Sequence, residues 1–165
     1  MKQFAVQAGA LAKRGMVAAC VDYRVKERHA STPDQSVEDA KSAVRWFRKS
    51  AGTLGIDPDR IVAAGGSAGG HIAACTAILQ GVESPGEDLS VSSKANALIL
   101  FNPVMHLEPL AQRMADPEMA RRITPNLHLA PGIPPAILFY GDKDPFVEGG
   151  KEFVARMKEL GGRAE

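Results

Sequence analysis

A glycine-rich hexapeptide, Gly65-Gly66-Ser67-Ala68-Gly69-Gly70, constrains the fold of this chain more than any other feature of its sequence. An apolar run, Ile61-Val62-Ala63-Ala64, leads directly into it, and an apolar stretch of helical length, Ile72 to Leu79, follows it. Four glycines around one serine indicate a turn too tight for side chains. The segment therefore predicts a strand, a sharp turn at Ser67 and a helix.

A serine in such a turn is a candidate nucleophile. Its hydroxyl reacts only when it is held out of the backbone trend, next to a base and to donors for the oxyanion that it generates. The turn holds Ser67 in strained dihedrals, and Ala68 N–H, at the positive end of the helix dipole, is a candidate oxyanion donor. Where strand and helix cross, side chains are expected to have no room at Gly65 and Gly69, and Gly66 and Gly70 are expected to relieve the crowding further. A phosphate-binding turn is the alternative, although neither nucleotide-binding glycine pattern is present.

Short apolar runs alternate with segments of helical period along the rest of the chain, which predicts an α/β fold. We expect a three-layer sandwich with a mostly parallel central sheet of about four strands. The predicted strands are Met16–Val21, Arg60–Ala64, Asn96–Phe101 and Ala136–Tyr140. The predicted helices are Phe4–Arg14, one from Thr32, one after Ser67, and Glu148–Leu160, with a short one around Leu110–Arg122. Residues 81–94 are expected to be a loop.

The helix from Thr32 has the clearest start signal. Thr32 and Gln35 can form a capping box, and Pro33 fits the first helical position. Its apolar residues share one face, while Lys41 and Arg45 are expected to lie away from that face. The helix is expected to pack on the sheet and to end near residues 52–55.

Composition excludes several classes of protein. The 165 residues carry a formal net charge of +1, which does not favour nucleic-acid binding. No run of about 18 apolar residues indicates a membrane span. Cys20 and Cys75 lie in apolar stretches, where buried free thiols are expected. Neither His106 nor His128 has metal-ligand spacing with another histidine, cysteine or carboxylate. No metal or organic cofactor is expected. Oligomeric state and compartment are not indicated.

Four segments together resemble the α/β-hydrolase esterases of the hormone-sensitive-lipase-like and carbohydrate acetyl or feruloyl esterase (BD-FAE) groups. They are Asp22-Tyr23-Arg24, Asp39 to Trp46, Ile56 to Ile61, and Gly65 to His71. The resemblance implies a single, partial α/β-hydrolase domain over residues 1–165, with residues 104–132 as a variable, lid-like insertion. It also implies a serine hydrolase that cleaves a small carboxylic ester, an acetyl or other acyl ester of a carbohydrate or alcohol, through an acyl-enzyme.

The resemblance places the catalytic acid at Asp144, because Gly141-Asp142-Lys143-Asp144 follows a predicted strand as the acid does in the family. The carboxyl ends of parallel strands are also where such folds carry reactive groups. Asp142 is the competing carboxylate, and capping of the following turn or helix is a third interpretation of both residues.

The sequence departs from the family pattern at both ends. The family's histidine follows the acid, whereas His128 is the last histidine here, and the upstream HGGG-type oxyanion segment is also missing. We therefore expect a chain cut on each side and inactive alone. His71 is expected to pack beneath the turn and His29 to be a solvated loop residue, while His106 and His128 flank a variable region. The alternative functions are an S9-like serine peptidase and a non-catalytic binding domain.

Overall fold

The computed structural model describes residues 3–107 and 116–165, which form an α/β fold. Its strands are β1 (Val62–Gly66), β2 (Ala97–Phe101) and β3 (Ala136–Phe139). Its helices are α1 (Ala5–Ala12), α2 (Lys26–His29), α3 (Pro33–Lys49), α4 (Ala51–Leu54), α5 (Ala68–Ile78), α6 (Pro117–Arg122) and α7 (Val147–Glu159), with a 3₁₀ turn at Pro125–His128.

The strands of the described residues form one parallel sheet in the order β1-β2-β3. Gly65 pairs with Leu100 in the register, and Leu100 pairs with Leu138. A single parallel bridge joins Ala136 to Ala164, beyond β3. Three of the four predicted strands are confirmed, with small shifts at their ends. All three strands therefore have their carboxyl ends at one edge of the sheet.

The prediction of a strand at Met16–Val21 is wrong. These residues have no regular structure, and Met16 and Val17 are 53% and 56% exposed. A strand needs a neighbour for its backbone groups, and within the described residues β1 pairs with β2 alone. Cys20, in this segment, is exposed and not buried as predicted, whereas Cys75 is buried as predicted.

The capping box of α3 is confirmed. Thr32 N–H donates to the Gln35 side chain at 3.1 Å, and Pro33 occupies the first helical position. The helix ends at Lys49, and α4 continues the chain to Leu54. Gly55, the next residue, has a φ of 65°. A positive φ suits glycine because no Cβ opposes it, so the chain turns here as predicted.

Lys41 and Arg45 are buried on α3, which contradicts the prediction that they lie away from the packed face. Lys41 is 1% exposed and Arg45 4%. Both cations pair with Glu83, Arg45 at 2.6 Å. Lys41 Nζ also donates to Leu79 O at 2.9 Å, and Arg45 Nε donates to Val91 O at 2.9 Å. These contacts satisfy the buried charges and join α3 to the loop that follows α5.

Helix α5 lies at the centre of the core. Its residues from Gly70 to Ile78 are all buried, and it packs on β1, β2 and α3. Phe153 and Met157 of α7 belong to the same apolar cluster as Leu98 and Leu100 of β2. A helix that is buried on every side is fixed by its surroundings, which fixes its first residues as well.

The region between β2 and β3 is described in part. Helix α6 matches the end of the helix predicted around Leu110–Arg122, while residues 108–115 lie outside the described residues. The lid-like role of residues 104–132 stays a prediction. No helix in residues 3–107 and 116–165 combines the length and apolar character that a bilayer span requires.

Replacement of Glu83 by glutamine is expected to lower the free energy of unfolding by about 3 kcal/mol, because it leaves two buried cations without their carboxylate. The matched control is Glu159→Gln, which breaks the exposed pair with Arg156 and is expected to cost less than about 0.5 kcal/mol. Urea unfolding measures both. Equal effects of the two substitutions would contradict this account.

The difference in the free energy of unfolding between wild type and Glu83→Gln is expected to depend on pH. Partial burial acts to raise the pKa of Glu83, but hydrogen bonds from Arg45 and Lys41 outweigh it and hold the pKa below its usual range. A lowered pKa contributes stability above the unfolded-state value, about 4.3, and that contribution is lost as pH falls through the folded-state value. The stability difference between wild type and Glu83→Gln should therefore shrink in acid.

Candidate active site

Ser67 occupies the turn between β1 and α5 in a strained conformation. Its φ is 54° and its ψ is −121°, outside the regions that non-glycine residues ordinarily adopt. Such a residue costs about 1–3 kcal/mol and persists only where the surrounding structure imposes it. The arrangement is that of a nucleophile elbow, in which the side chain stands clear of both elements.

The neighbouring glycines explain how the crossing closes. A Cβ on Gly65 would lie 2.3 Å from Gly69 O, and one on Gly70 would lie 3.0 Å from Pro103 Cβ. A Cβ on Gly66 would lie 2.8 Å from the Phe4 ring. The expectation for Gly69 is wrong, because a Cβ there would meet only the Tyr23 hydroxyl, at 3.6 Å. The crossing brings the backbone of 69, rather than its side-chain position, against Gly65.

The first turn of α5 presents backbone donors beside Ser67. His71 N–H donates to Ser67 O at 3.0 Å, which begins the helical ladder. The amides of Ala68, Gly69 and Gly70 precede that bond, so they have no carbonyl acceptor within the helix. Together with the helix dipole, they favour negative charge at this point. This geometry suits the role expected for Ala68.

Hydrogen bonds connect the carboxyl ends of the three strands. Ser67 N–H donates to Phe101 O at 2.9 Å, and Asn102 N–H donates to Phe139 O at 2.6 Å. Asn102 has a φ of 39°. In the described part of the chain, the non-glycine residues with positive φ are Ala30, Ser67 and Asn102. Strain thus occurs on two adjacent strand ends. Asn102 was not among the predicted site residues, although the Asn102-Pro103 dipeptide after a predicted strand was a turn signal.

Asp144 lies in the turn between β3 and α7, at the same edge of the sheet as Ser67. It is half-buried, while Asp142 is exposed. Its N–H donates to Gly141 O at 3.0 Å, and its Oδ1 accepts from Phe146 N–H at 2.8 Å. The turn itself therefore orients the Asp144 carboxylate. One strand, β2, separates the ends that carry Ser67 and Asp144.

Tyr23 also belongs to the surroundings of the elbow, and sequence reasoning did not assign it to the site. Its hydroxyl oxygen lies 3.6 Å from the position that a Cβ on Gly69 would take. Burial, followed by the negative charge of Asp22, raises the pKa of Tyr23. The next residue anchors the segment, since Arg24 N–H donates to Asp39 Oδ2 at 2.7 Å and Arg24 Nε donates to Oδ1 at 2.9 Å. The Asp22-Tyr23-Arg24 run, one of the segments that resemble the family, was the sequence signal that could have placed Tyr23 near the elbow.

His71 packs beneath the elbow as predicted. Burial lowers its pKa and so favours the neutral ring. Its Nε2 lies 2.7 Å from Ile123 O, and Cys75 Sγ lies 3.5 Å from the same nitrogen. Because a carbonyl only accepts, Nε2 carries the proton and donates it to Ile123. The ring is thereby bound to the chain below the elbow.

The other three histidines have partners away from Ser67. His29 is exposed as predicted, and its Nδ1 accepts from Val25 N–H at 3.1 Å. His106 Nε2 lies 2.7 Å from Glu152 Oε2 and 3.1 Å from Asn126 Nδ2. His128 Nε2 donates to Arg121 O at 3.1 Å. These contacts of the three imidazoles involve neither Ser67 nor Asp144.

Comparison with known proteins finds similarity to one family model and to several proteins named as esterases. A family model described as BD-FAE matches residues 1–153. A protein of Arabidopsis thaliana named probable isoprenylcysteine alpha-carbonyl methylesterase is 33% identical over 94% of this chain. Esterase LipC of Mycobacterium tuberculosis is 28% identical over 91%. The structure of Thermogutta terrifontis esterase 2 phosphorylated by paraoxon superimposes with a TM-score of 0.90 and 46% identity over 99% of this chain.

These relatives are longer than the chain. The match spans 38% of the Arabidopsis protein and 42% of LipC, and it covers 62% of the Thermogutta chain. The likeness therefore concerns the fold and the elbow region within a larger protein in each case.

Two substitutions in the elbow are expected to differ sharply. Gly65→Ala places a Cβ against the Gly69 carbonyl and should lower the free energy of unfolding by about 2–3 kcal/mol. Gly69→Ala has room and should be neutral, or stabilising by up to about 1 kcal/mol because alanine favours the helix. Urea unfolding of both variants measures the difference. Equal destabilisation would mean that the crossing is looser than described.

Proposed function

The chain belongs to the BD-FAE family, and we propose that it forms part of a serine esterase that hydrolyses small carboxylic esters through an acyl-enzyme. The strained turn at Ser67, which holds a serine beside the free amides at the start of α5, is the observation that carries the proposal. The esterase names of its relatives support the reaction class.

The proposed reaction has two halves. Ser67 Oγ attacks the acyl carbon while a histidine base takes its proton, and the Ala68 N–H stabilises the oxyanion. The intermediate collapses, the protonated base gives its proton to the departing alcohol, and an ester joins the acyl group to Ser67. Water then attacks that ester, with the same base accepting its proton, and releases the acid and Ser67.

We assign Asp144 as the acid that orients the base. Its position at the carboxyl edge and its bond from Phe146 N–H support the assignment, because a fixed carboxylate can hold an imidazole in one orientation and stabilise its cation. Asp142, which is exposed, is the weaker candidate.

We propose that the base comes from outside these 165 residues. The support is the engagement of the four imidazoles described above, together with the absence of any histidine after His128 in the sequence. A second oxyanion donor would come from outside in the same way. The 104–132 segment would shape the substrate pocket as a lid-like insertion.

The substrate is proposed to be a small acyl ester, an acetyl ester of a carbohydrate or alcohol by family resemblance. The relatives' names include a methylesterase and esterases without a stated substrate, which supports a simple carboxylic ester more firmly than any one alcohol. The proposed chemistry uses side chains and backbone amides alone.

Paraoxon gives the most direct test of Ser67. In the full-length gene product, Ser67 Oγ should attack phosphorus and expel p-nitrophenolate, leaving one diethylphosphoryl group on the peptide that contains Ser67. Hydrolysis of p-nitrophenyl acetate should stop with the same stoichiometry. Ser67→Ala should lower kcat by more than about a thousandfold and abolish labelling, whereas Ser90→Ala, at an exposed serine, should change neither.

Four results would contradict the proposal. Labelling of another residue, or full activity of Ser67→Ala, would exclude Ser67 as the nucleophile. A full-length product with neither labelling nor turnover would favour the non-catalytic alternative. The 165-residue chain alone is expected to be inactive, and turnover by it that Ser67→Ala abolishes would exclude an external base.

A further inference from the structure

Tyr140 connects the loop that carries Asp144 to the strand end beside the elbow. It follows β3 directly and begins the path through residues 141–146 to α7. Its hydroxyl donates to Pro103 O at 2.7 Å, and Pro103 is fully buried just beyond β2. The loop is therefore fixed at its first residue by a bond to a buried part of the chain.

The start of α7 is fixed against the same ring. A Cβ on Gly150 would lie 2.2 Å from Tyr140 Cε2 and 2.8 Å from its hydroxyl oxygen, so α7 approaches the ring as closely as a glycine allows. Gly150 is itself buried. Both ends of the loop thus depend on the position of one phenol ring.

The Asp144 carboxylate interacts electrostatically with the Tyr140 hydroxyl. Burial raises the pKa of Tyr140, and the negative charge of Asp144 raises it further. Asp144 Oδ1 accepts from Phe146 N–H, which leads into α7. A shift of the ring would move α7 and, through Phe146, the carboxylate.

The other end of the connection reaches the nucleophile helix. Pro103 Cβ lies 3.0 Å from the position that a Cβ on Gly70 would take, three residues after Ser67. The order of contact is therefore Gly70, Pro103, Tyr140, and then the loop of Asp144. These contacts join residues that are far apart in the sequence.

We infer that Tyr140 is a positioning residue, which sets the Asp144 carboxylate relative to Ser67 through its bond to Pro103 and its contact with Gly150. The inference rests on the proposed function, because it takes Asp144 as the acid of the esterase. Tyr140 itself touches neither substrate nor Ser67 in this role. It acts on the reaction through the orientation of the base that Asp144 holds.

The structural part of the inference can be tested in the 165-residue chain without any activity. Tyr140→Phe removes only the hydroxyl and should speed hydrogen exchange at the amides of Asp144 and Phe146. The matched control is Thr76→Val, which removes a buried hydroxyl bond of the same length, 2.7 Å to Ala73 O. It should lower Tm by a comparable amount and leave exchange at those two amides unchanged. Unchanged exchange in Tyr140→Phe would overturn the inference.

The catalytic part is tested in the full-length gene product. Tyr140→Phe should lower kcat for p-nitrophenyl acetate about tenfold with little change in KM, since small misplacements of catalytic groups are costly. Thr76→Val should leave both constants unchanged. In an Asp144→Asn background, Tyr140→Phe should cost nothing further, because its effect passes through the carboxylate.

The outcomes separate this inference from the proposed function. If the wild-type product neither hydrolyses the ester nor reacts with paraoxon, the proposed function fails, and the exchange experiment still decides the structural part. If the wild type is active and Tyr140→Phe keeps its kcat, or if its effect adds to that of Asp144→Asn, the positioning role is wrong.

Discussion

The close crossing of β1 and α5 is the constraint on which the rest of the site depends. The backbone of Gly69 lies so near Gly65 that a side chain at Gly65 has no room, and the chain enters α5 through Ser67, whose φ is 54° and whose ψ is −121°. The strain costs about 1–3 kcal/mol, which is small compared with the free energy gained when α5 buries its apolar residues along its length. The burial of α5 is therefore what keeps Ser67 in its unusual conformation.

Both ends of α5 are tied to other elements. At its start, Ser67 N–H donates to the end of β2, and at its end Leu79 O accepts from the buried Lys41. A cation near the last carbonyls of a helix is stabilised by the helix dipole, as negative charge is at the other end. Lys41 is also paired with Glu83, so the helix that positions the candidate nucleophile is fixed through a buried ionic cluster far from the reacting atoms.

The sequence predicted what short-range rules determine. The elbow, the capping box at Thr32 and three of the strands follow from local residue types, and each has its expected place. The strand at Met16–Val21 failed because pairing is not local: an apolar run becomes a strand only where another strand has free backbone groups for it. The prediction for Lys41 and Arg45 was wrong for a related reason. Their carboxylate partner, Glu83, is about 40 residues away in the sequence, and the helical period of α3 does not indicate it.

The two residues proposed as catalytic, Ser67 and Asp144, differ in the same respect. One hexapeptide specifies the turn at Ser67, and its geometry follows almost entirely from glycines within it. The proposed positioning of the Asp144 carboxylate depends, beyond its own turn, on contacts among Pro103, Tyr140 and Gly150, which no contiguous pattern contains. A motif can therefore identify the serine, while the acid becomes interpretable only when the sheet has brought the ends of β2 and β3 together. The relation between the two residues is a property of the fold, and substitutions that leave both of them intact can still separate them.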